Sequence, residues 1–180
     1  TSERLGKDEI LKLEEEHGYK KEELITKSAS LYFAYNKSNL DLNLPLNKDP
    51  QNKAKLDTLY DFLKRNWKFK SFEINAWASP EGELSLNQKL SNERGVTGDE
   101  FIQKFFKTLI KDKLVSYKDV KKDIPYVVNA KGEDFQGFMT ALNASNIPDK
   151  NAIKNVIESQ ATKTEREQQI RNMTVIYEEV

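Results

Sequence analysis

One stretch of the sequence constrains the fold more than any other: a strand pattern that stops at a sharp turn and leads into a long helix. Residues 69–78 alternate, with Phe72 and Ile74 on one face and polar residues between them, as in a half-buried strand. The Ser-Pro-Glu-Gly sequence at 79–82 must end this strand, because proline lacks an N–H donor and glycine allows unusual dihedrals. The pattern from Leu84 to Ile110 then predicts a long amphipathic helix.

The long helix has an expected buried side, in which apolar residues recur at helical spacing. The residues predicted on that side are Leu86, Leu90, Phe101, Phe105 and Leu109. Gly95 and Gly98 weaken the middle of the helix, so we expect either a kink or the close approach of another element there.

Shorter hydrophobic patterns predict the other elements. They are a strand at 30–35, a helix carrying Leu56 to Trp67, an edge strand at 125–128, a helix at 135–142 and another at 149–157 capped by Asp149. The last residues fit a helix that includes Ile170 and Met173, although 174–177 alone would suit a strand; we favour the helix.

The chain therefore predicts an α+β fold. We expect a strand–helix–strand–helix core, with helices packed on one face of a small mixed sheet and extra helices at both termini. Residues 7–27 are dense in Glu and Lys and are divided by Gly18, which favours two short helical pieces. Residues 1–28 are thus predicted as a helical lead-in or linker, and 29–180 as one domain with an extended C-terminal part.

Composition excludes several functional classes. The 29 basic and 29 acidic residues leave no positive excess, which disfavours nucleic-acid binding. No apolar run approaches the roughly 20 residues that a transmembrane helix needs. Cysteine is absent, His17 is the one histidine, and no nucleophile elbow, zinc motif or phosphate loop occurs. We therefore expect no catalytic residues, no metal and no cofactor.

The start of the long helix is the candidate binding site. Free N–H groups at a helix start attract anions. Asn87 and Arg94 lie seven residues apart, so they share a helix face, and Arg94 projects back towards the turn. This layout suits a ligand carboxylate. The alternative is structural: Arg94 pairs with a nearby glutamate, and Asn87 caps a loop.

These residues resemble a known family. Trp77, Ala78, Gly82, Asn87, Leu90, Ser91 and Arg94 stand at the spacing of the C-terminal domain of OmpA-like proteins, which hold peptidoglycan without a covalent bond. The segment from Leu31 to Leu40 is similar to the opening strand and loop of that family. The resemblance covers roughly Ser30 to Phe106, less than half of the chain.

A Bacteroidetes branch of this family is the closer resemblance, because it carries a Ser-Pro-Glu-Gly turn. That branch also shows stretches similar to Gly132-Glu133-Asp134-Phe135 and to Arg166-Glu167-x-x-Ile170-Arg171. Its members are envelope proteins, so the resemblance implies a periplasmic, outer-membrane-associated location. In the family a final strand closes the sheet, and the pattern before Val180 does not identify such a strand.

The resemblance implies a site for the diaminopimelate of a peptidoglycan stem peptide. Its carboxylate would meet Arg94 and the helix start, with Asn87 and Asn36 beside it. Its ammonium would meet two acidic positions, which are Ser79 and Ala34 here, so that half of the site is lost. Glu81 is a candidate replacement for the ammonium contact; the alternative is that Glu81 is a solvated turn residue.

Two functions remain open at this point. The first is association with the peptidoglycan stem peptide through a partly degenerate site. The second is a protein-interaction or assembly scaffold for other envelope proteins that kept the fold and lost the ligand. For the second, an aromatic edge is a candidate docking surface if its rings are exposed together; its residues are Tyr117, Tyr126, Phe135 and Phe138.

Overall fold

A computed structural model describes the backbone of residues 3–5, 11–17 and 21–172, with side chains from residue 22. Its strands are β1 (Glu3–Leu5), β2 (Leu11–His17), β3 (Lys21–Lys27), β4 (Leu31–Phe33), β5 (Phe69–Ala78) and β6 (Tyr126–Glu133). Its helices are α1 (Pro45–Lys48), α2 (Pro50–Leu63), α3 (Leu84–Lys111), α4 (Val120–Asp123), α5 (Phe135–Ala144), α6 (Lys150–Glu158) and α7 (Lys163–Arg171). The α+β prediction is confirmed.

Strand β5 is the hub of a mixed sheet. It pairs in parallel with β6 from Phe72 to Ala78, and antiparallel with both β1 and β2. Strand β4 joins through β1, and β3 joins through β2, which gives the order β3-β2-β5-β1-β4 with β6 attached to β5. The connection between the parallel strands β5 and β6 contains α3 and α4, because parallel neighbours need a long crossover, which is usually helical.

The predicted helical lead-in is wrong. Residues 11–17 and 21–27 form the antiparallel pair β2–β3, and β2 continues onto β5 through Lys12 and Leu13. The Glu- and Lys-rich composition favours a helix only weakly, and pairing with an existing strand overrides it. The N-terminal segment thus extends the sheet.

The main hydrophobic core lies between the sheet and helices α2 and α3. Its largest fully buried apolar side chains are Phe33, Phe62, Phe72, Phe106, Leu59, Leu63 and Leu109. Phe72 contacts Phe106 edge-on, with 5.4 Å between ring centroids. Two details differ from expectation: Leu86 is 58% exposed, and Trp67 lies beyond the end of α2, against Phe62.

Helices α5 to α7 form a second, smaller core. Its buried members are Phe138, Leu142, Ile157 and Ile170. Helix α5 matches its prediction, whereas Asp149 precedes α6 in a left-handed conformation and its side chain does not cap the helix. Helix α7 ends at Arg171. The rest of the predicted C-terminal helix falls on residues 173–180, which lie outside the described range.

Gly95 marks a close approach between α3 and the sheet. A Cβ atom at this position would lie 3.2 Å from Val128 Cγ1 and 3.6 Å from the Ala76 Cβ. Helix α3 nevertheless runs unbroken from Leu84 to Lys111. The expected close approach of another element is therefore correct at Gly95, and helix α3 is continuous through both glycines.

This packing predicts that Gly95→Leu destabilises the fold. The added side chain would meet Val128 and Ala76, and overpacking of this kind costs about 1–3 kcal/mol. The matched control is Val96→Leu on the next residue of the same helix, because Val96 is 57% exposed. The free energy of unfolding, measured in urea, should fall for Gly95→Leu and stay near the wild-type value for Val96→Leu. Equal stability of the two variants would contradict the packing.

Candidate functional site

The turn after β5 is mostly covered by the rest of the chain. Pro80 and Glu81 are buried, and Gly82 has a φ of +77°, a conformation that glycine adopts without strain. Helix α3 begins two residues later, and the side chain of its N-cap residue Glu83 makes no capping hydrogen bond. The predicted strand–turn–helix unit is therefore present.

Arg94 lies completely inside this unit, with a side chain that is 0% exposed. Its Nε and Nη2 donate to the Lys37 carbonyl oxygen at 2.8 and 2.6 Å, and Nη2 also donates to the Ala34 oxygen at 3.3 Å. Its Nη1 donates to the Trp77 oxygen at 3.1 Å. The guanidinium also lies over the Phe33 ring, 5.1 Å from the centroid. Arg94 thus ties the loop after β4 to the end of β5.

Arg94 projects back towards the end of β5, as expected, and the contacts given above are with backbone carbonyl oxygens. Burial lowers the pKa of Arg94 to about 9, so the side chain remains protonated at neutral pH. Its donors point at backbone carbonyls and its surface is closed to solvent. In this structure the side chain is not placed to contact an external carboxylate.

Asn87 belongs to a second polar cluster, which we call the turn cluster: Glu81, Asn87, Glu133 and Arg171. Asn87 Nδ2 donates to the Glu81 carbonyl oxygen at 2.7 Å and to Glu133 Oε1 at 2.9 Å. Arg171 donates to the same carboxylate through Nε at 2.9 Å and Nη2 at 2.7 Å. The expectation that Asn87 caps a loop is therefore correct.

The turn cluster is almost closed to solvent. The side chains of Glu133 and Arg171 are 4% and 11% exposed, and Glu81 as a residue is 8% exposed. Glu81 is therefore not a solvated turn residue. Its Oε2 is buried and has no hydrogen-bond partner among the residues that the structure describes. Burial raises the pKa of Glu133, but the hydrogen bonds from Arg171 and Asn87 outweigh it and leave the pKa below its ordinary value.

Sequence reasoning missed the role of Glu133 and Arg171. Both lie in stretches that the family resemblance had singled out, but 38 residues separate them. Ser91, in the resembling motif, also has a structural role, because its Oγ accepts from the Gly132 N–H at 3.2 Å. The polar side chains on the buried face of α3 thus form hydrogen bonds within the protein.

Asn36 lies in a different place, on an open cleft that we call the loop–helix cleft. The cleft has a volume of about 230 Å³. It is lined by the loop residues Asn36, Lys37, Ser38 and Asn39 and the α3 residues Leu86, Lys89, Leu90 and Glu93. Ser79, half-buried directly after β5, does not line it. Of the five predicted site residues, Asn36 lines the cleft, Arg94 is buried, and Asn87 and Glu81 belong to the turn cluster, whereas Ser79 belongs to none of these places.

A larger cavity lies elsewhere, along residues 66–70 and 116–125, with a volume of about 590 Å³. Two of its polar groups already hold the chain together. Asn66 Oδ1 accepts from the backbone and hydroxyl of Ser116, and Asp123 Oδ2 accepts from two backbone N–H groups. The larger volume of this cavity therefore does not make it a better candidate binding site than the loop–helix cleft.

The expected aromatic docking edge is not a continuous surface. Phe138 is buried and Phe135 packs beside it in the second core, whereas Tyr117 and Tyr126 pack against the main core. Tyr126 stacks on Phe72, with 5.2 Å between the ring centroids. These rings stabilise the fold.

The internal hydrogen bonds of Arg94 predict a structural phenotype for Arg94→Ala. The substitution removes the donors to three carbonyl oxygens, and a buried unpaired polar group costs about 1–3 kcal/mol. Arg94→Lys should also be destabilised, because an ammonium group lacks the planar fork of donors. Chemical denaturation of both variants measures the loss. Wild-type stability in Arg94→Ala would show that the carbonyls do not need this side chain.

Glu133 predicts a dependence of stability on pH. Its pKa is lowered in the folded state, so its stabilising contribution is complete above the ordinary value of 4.5 and disappears as pH falls through the lower folded value. The stability difference between wild type and Glu133→Gln should therefore shrink as the solution is acidified below that point. Thermal unfolding across a pH series measures this difference. A difference that stays constant into acid would contradict the assignment.

Comparison of the chain with protein-family models, curated protein sequences and solved structures finds no significant match. Among the described residues, no helix combines the length and apolar character needed to cross a membrane. In the same part of the chain, no three histidine or acidic side chains gather in a geometry suited to a metal ion.

Proposed function

We propose that this chain is a non-enzymatic domain of the bacterial cell envelope that associates with peptidoglycan stem peptides through the loop–helix cleft. The observation that carries the proposal is the mixed charge of this open cleft. Lys37 and Lys89 bring positive charge, and Glu93 brings negative charge. The resemblance to OmpA-like domains supports the same ligand class and a periplasmic, outer-membrane-associated location.

A stem peptide suits these charges because it carries both carboxylates and an ammonium group. The two lysines would attract the carboxylates, and Glu93 would attract the ammonium. Lys89 Nζ lies 3.8 Å from Glu93 Oε1, and the two side chains are 72% and 45% exposed. Because of this exposure, each charge is accessible to an external group. Exposed charges of this kind bind weakly one at a time, so the proposal is for modest affinity.

Arg94 supports this function without contacting the ligand. By holding the carbonyl oxygens of Ala34 and Lys37, it fixes the loop that forms one wall of the cleft. Loss of Arg94 would therefore disturb the cleft indirectly. For this reason Arg94→Ala does not test ligand contact cleanly, and substitutions on the cleft surface are the better test.

A second candidate is the envelope scaffold that has lost peptidoglycan binding. The complete burial of Arg94 favours it, because the side chain expected to hold a carboxylate is bound to backbone instead. Ser79 and Ala34 at the two acidic positions of the resembling family favour it as well. Under this proposal the chain acts through contacts with other envelope proteins.

The first proposal predicts that reversing the charge of the cleft weakens binding to isolated peptidoglycan sacculi. The double variant Lys37→Glu/Lys89→Glu should bind sacculi at least about tenfold more weakly than wild type in a sedimentation assay, because attraction to the ligand carboxylates becomes repulsion. The matched control is Lys104→Glu/Lys107→Glu, which makes the same charge change at exposed positions of α3 outside the cleft.

The three proteins should first be shown to unfold at similar temperatures. Binding of wild type and control, with loss in the cleft variant, supports the peptidoglycan proposal. If folded wild type remains in solution with sacculi, the scaffold proposal is favoured. Equal loss in both double variants would mean that net charge, and not the cleft, governs the association.

A further inference from the structure

The turn cluster contains more buried acid than the described structure neutralises. Glu133 is bound by Arg171 and Asn87, whereas Oε2 of Glu81 is buried without a hydrogen-bond partner. The same asparagine that holds Glu133 also holds the main chain of Glu81, which keeps both glutamates at one turn. Two nearly buried carboxylates therefore accompany one guanidinium, and a buried unpaired carboxylate is costly.

Arg171 reaches this cluster from the last residue of helix α7. Ile170 is the one buried residue of α7, and most of the other α7 side chains are exposed. Beyond the ion pair, Arg171 Nη1 donates to Gln168 Oε1 at 3.3 Å, and the Arg171 carbonyl accepts from the Gly82 N–H at 3.4 Å. The guanidinium lies 5.4 Å from the centre of the Phe135 ring. The Arg171 guanidinium thus has the surroundings typical of a bound cation. It donates two hydrogen bonds to a carboxylate, and an aromatic ring lies close to its charge.

We propose that the turn cluster is a binding site for a guanidinium or primary ammonium group, which Arg171 fills from within the chain and which an external cation of this class can occupy instead. Withdrawal of Arg171 would expose the Glu133 carboxylate, with Asn87 still bound both to it and to the main chain of Glu81. The site would then accept a cation with several N–H donors. This inference goes beyond the peptidoglycan proposal and does not rest on it.

The test is chemical rescue of Arg171→Ala in the 180-residue chain. Methylguanidinium carries the same donor group as the lost side chain, and tetramethylammonium at equal concentration is the control because it has no N–H donor. Arg171→Ala should unfold at a lower temperature than wild type. Methylguanidinium should restore at least half of the lost Tm in a saturable manner, whereas tetramethylammonium should not.

The double variant Arg171→Ala/Glu133→Gln shows whether the rescue occurs at this site, because it removes the carboxylate charge. Methylguanidinium should leave its Tm unchanged. Arg166→Ala, an exposed arginine of the same helix, is the control for loss of a positive charge and should show no rescue. Rescue of equal size with and without Glu133 would overturn the proposal, and so would the absence of any rescue in Arg171→Ala.

A titration of wild type keeps the proposal testable if Arg171→Ala does not fold. Methylguanidinium should displace the Arg171 side chain, which is followed by the NMR signal of its Nε–H. A saturable shift of that signal towards the position of an exposed arginine supports exchange at the site. A signal that does not respond while the protein remains folded would overturn it.

Discussion

The buried guanidinium of Arg94 is the contact on which the rest of the site depends. It joins the loop after β4 to the last residues of β5 through the carbonyl oxygens of Ala34, Lys37 and Trp77. Hydrogen bonds to a charged group contribute about 1.5–3 kcal/mol each, which offsets the cost of taking that charge out of water. The loop wall of the cleft and the end of β5 are therefore both tied to helix α3 by this side chain.

The strand–turn–helix unit could be predicted closely because its signals are local. The alternation of β5, the Ser-Pro-Glu-Gly break and the helical period of α3 all lie in one continuous segment, and α3 ends one residue beyond its predicted end. The N-terminal strands could not be predicted in this way. Residues 11–17 pair with 21–27 and with β5, and local composition carries no information about a partner some 60 residues away.

The candidate site shows the same limit at the level of single side chains. The direction in which Arg94 points follows from helix geometry, and it is correct. Its acceptors are backbone carbonyls, which every residue has, so no residue type in the sequence identifies them. The Glu133–Arg171 pair joins two separated segments, and only the fold brings them together. Spacing along a helix thus predicts orientation better than it predicts partners.

The two buried arginines have different physical consequences for binding. Arg94 bonds to three carbonyls from two segments, so no single external group can replace its contacts. Arg171 donates two hydrogen bonds to one carboxylate, and Ile170 is the buried residue of α7. Removing Arg171 would leave Glu133 buried and unpaired at a cost of about 3–5 kcal/mol, unless another cation takes its place. Under our proposal, only a positively charged group can therefore replace Arg171 beside Glu133 without this loss of stability. The fold itself would then select for cations at the turn cluster.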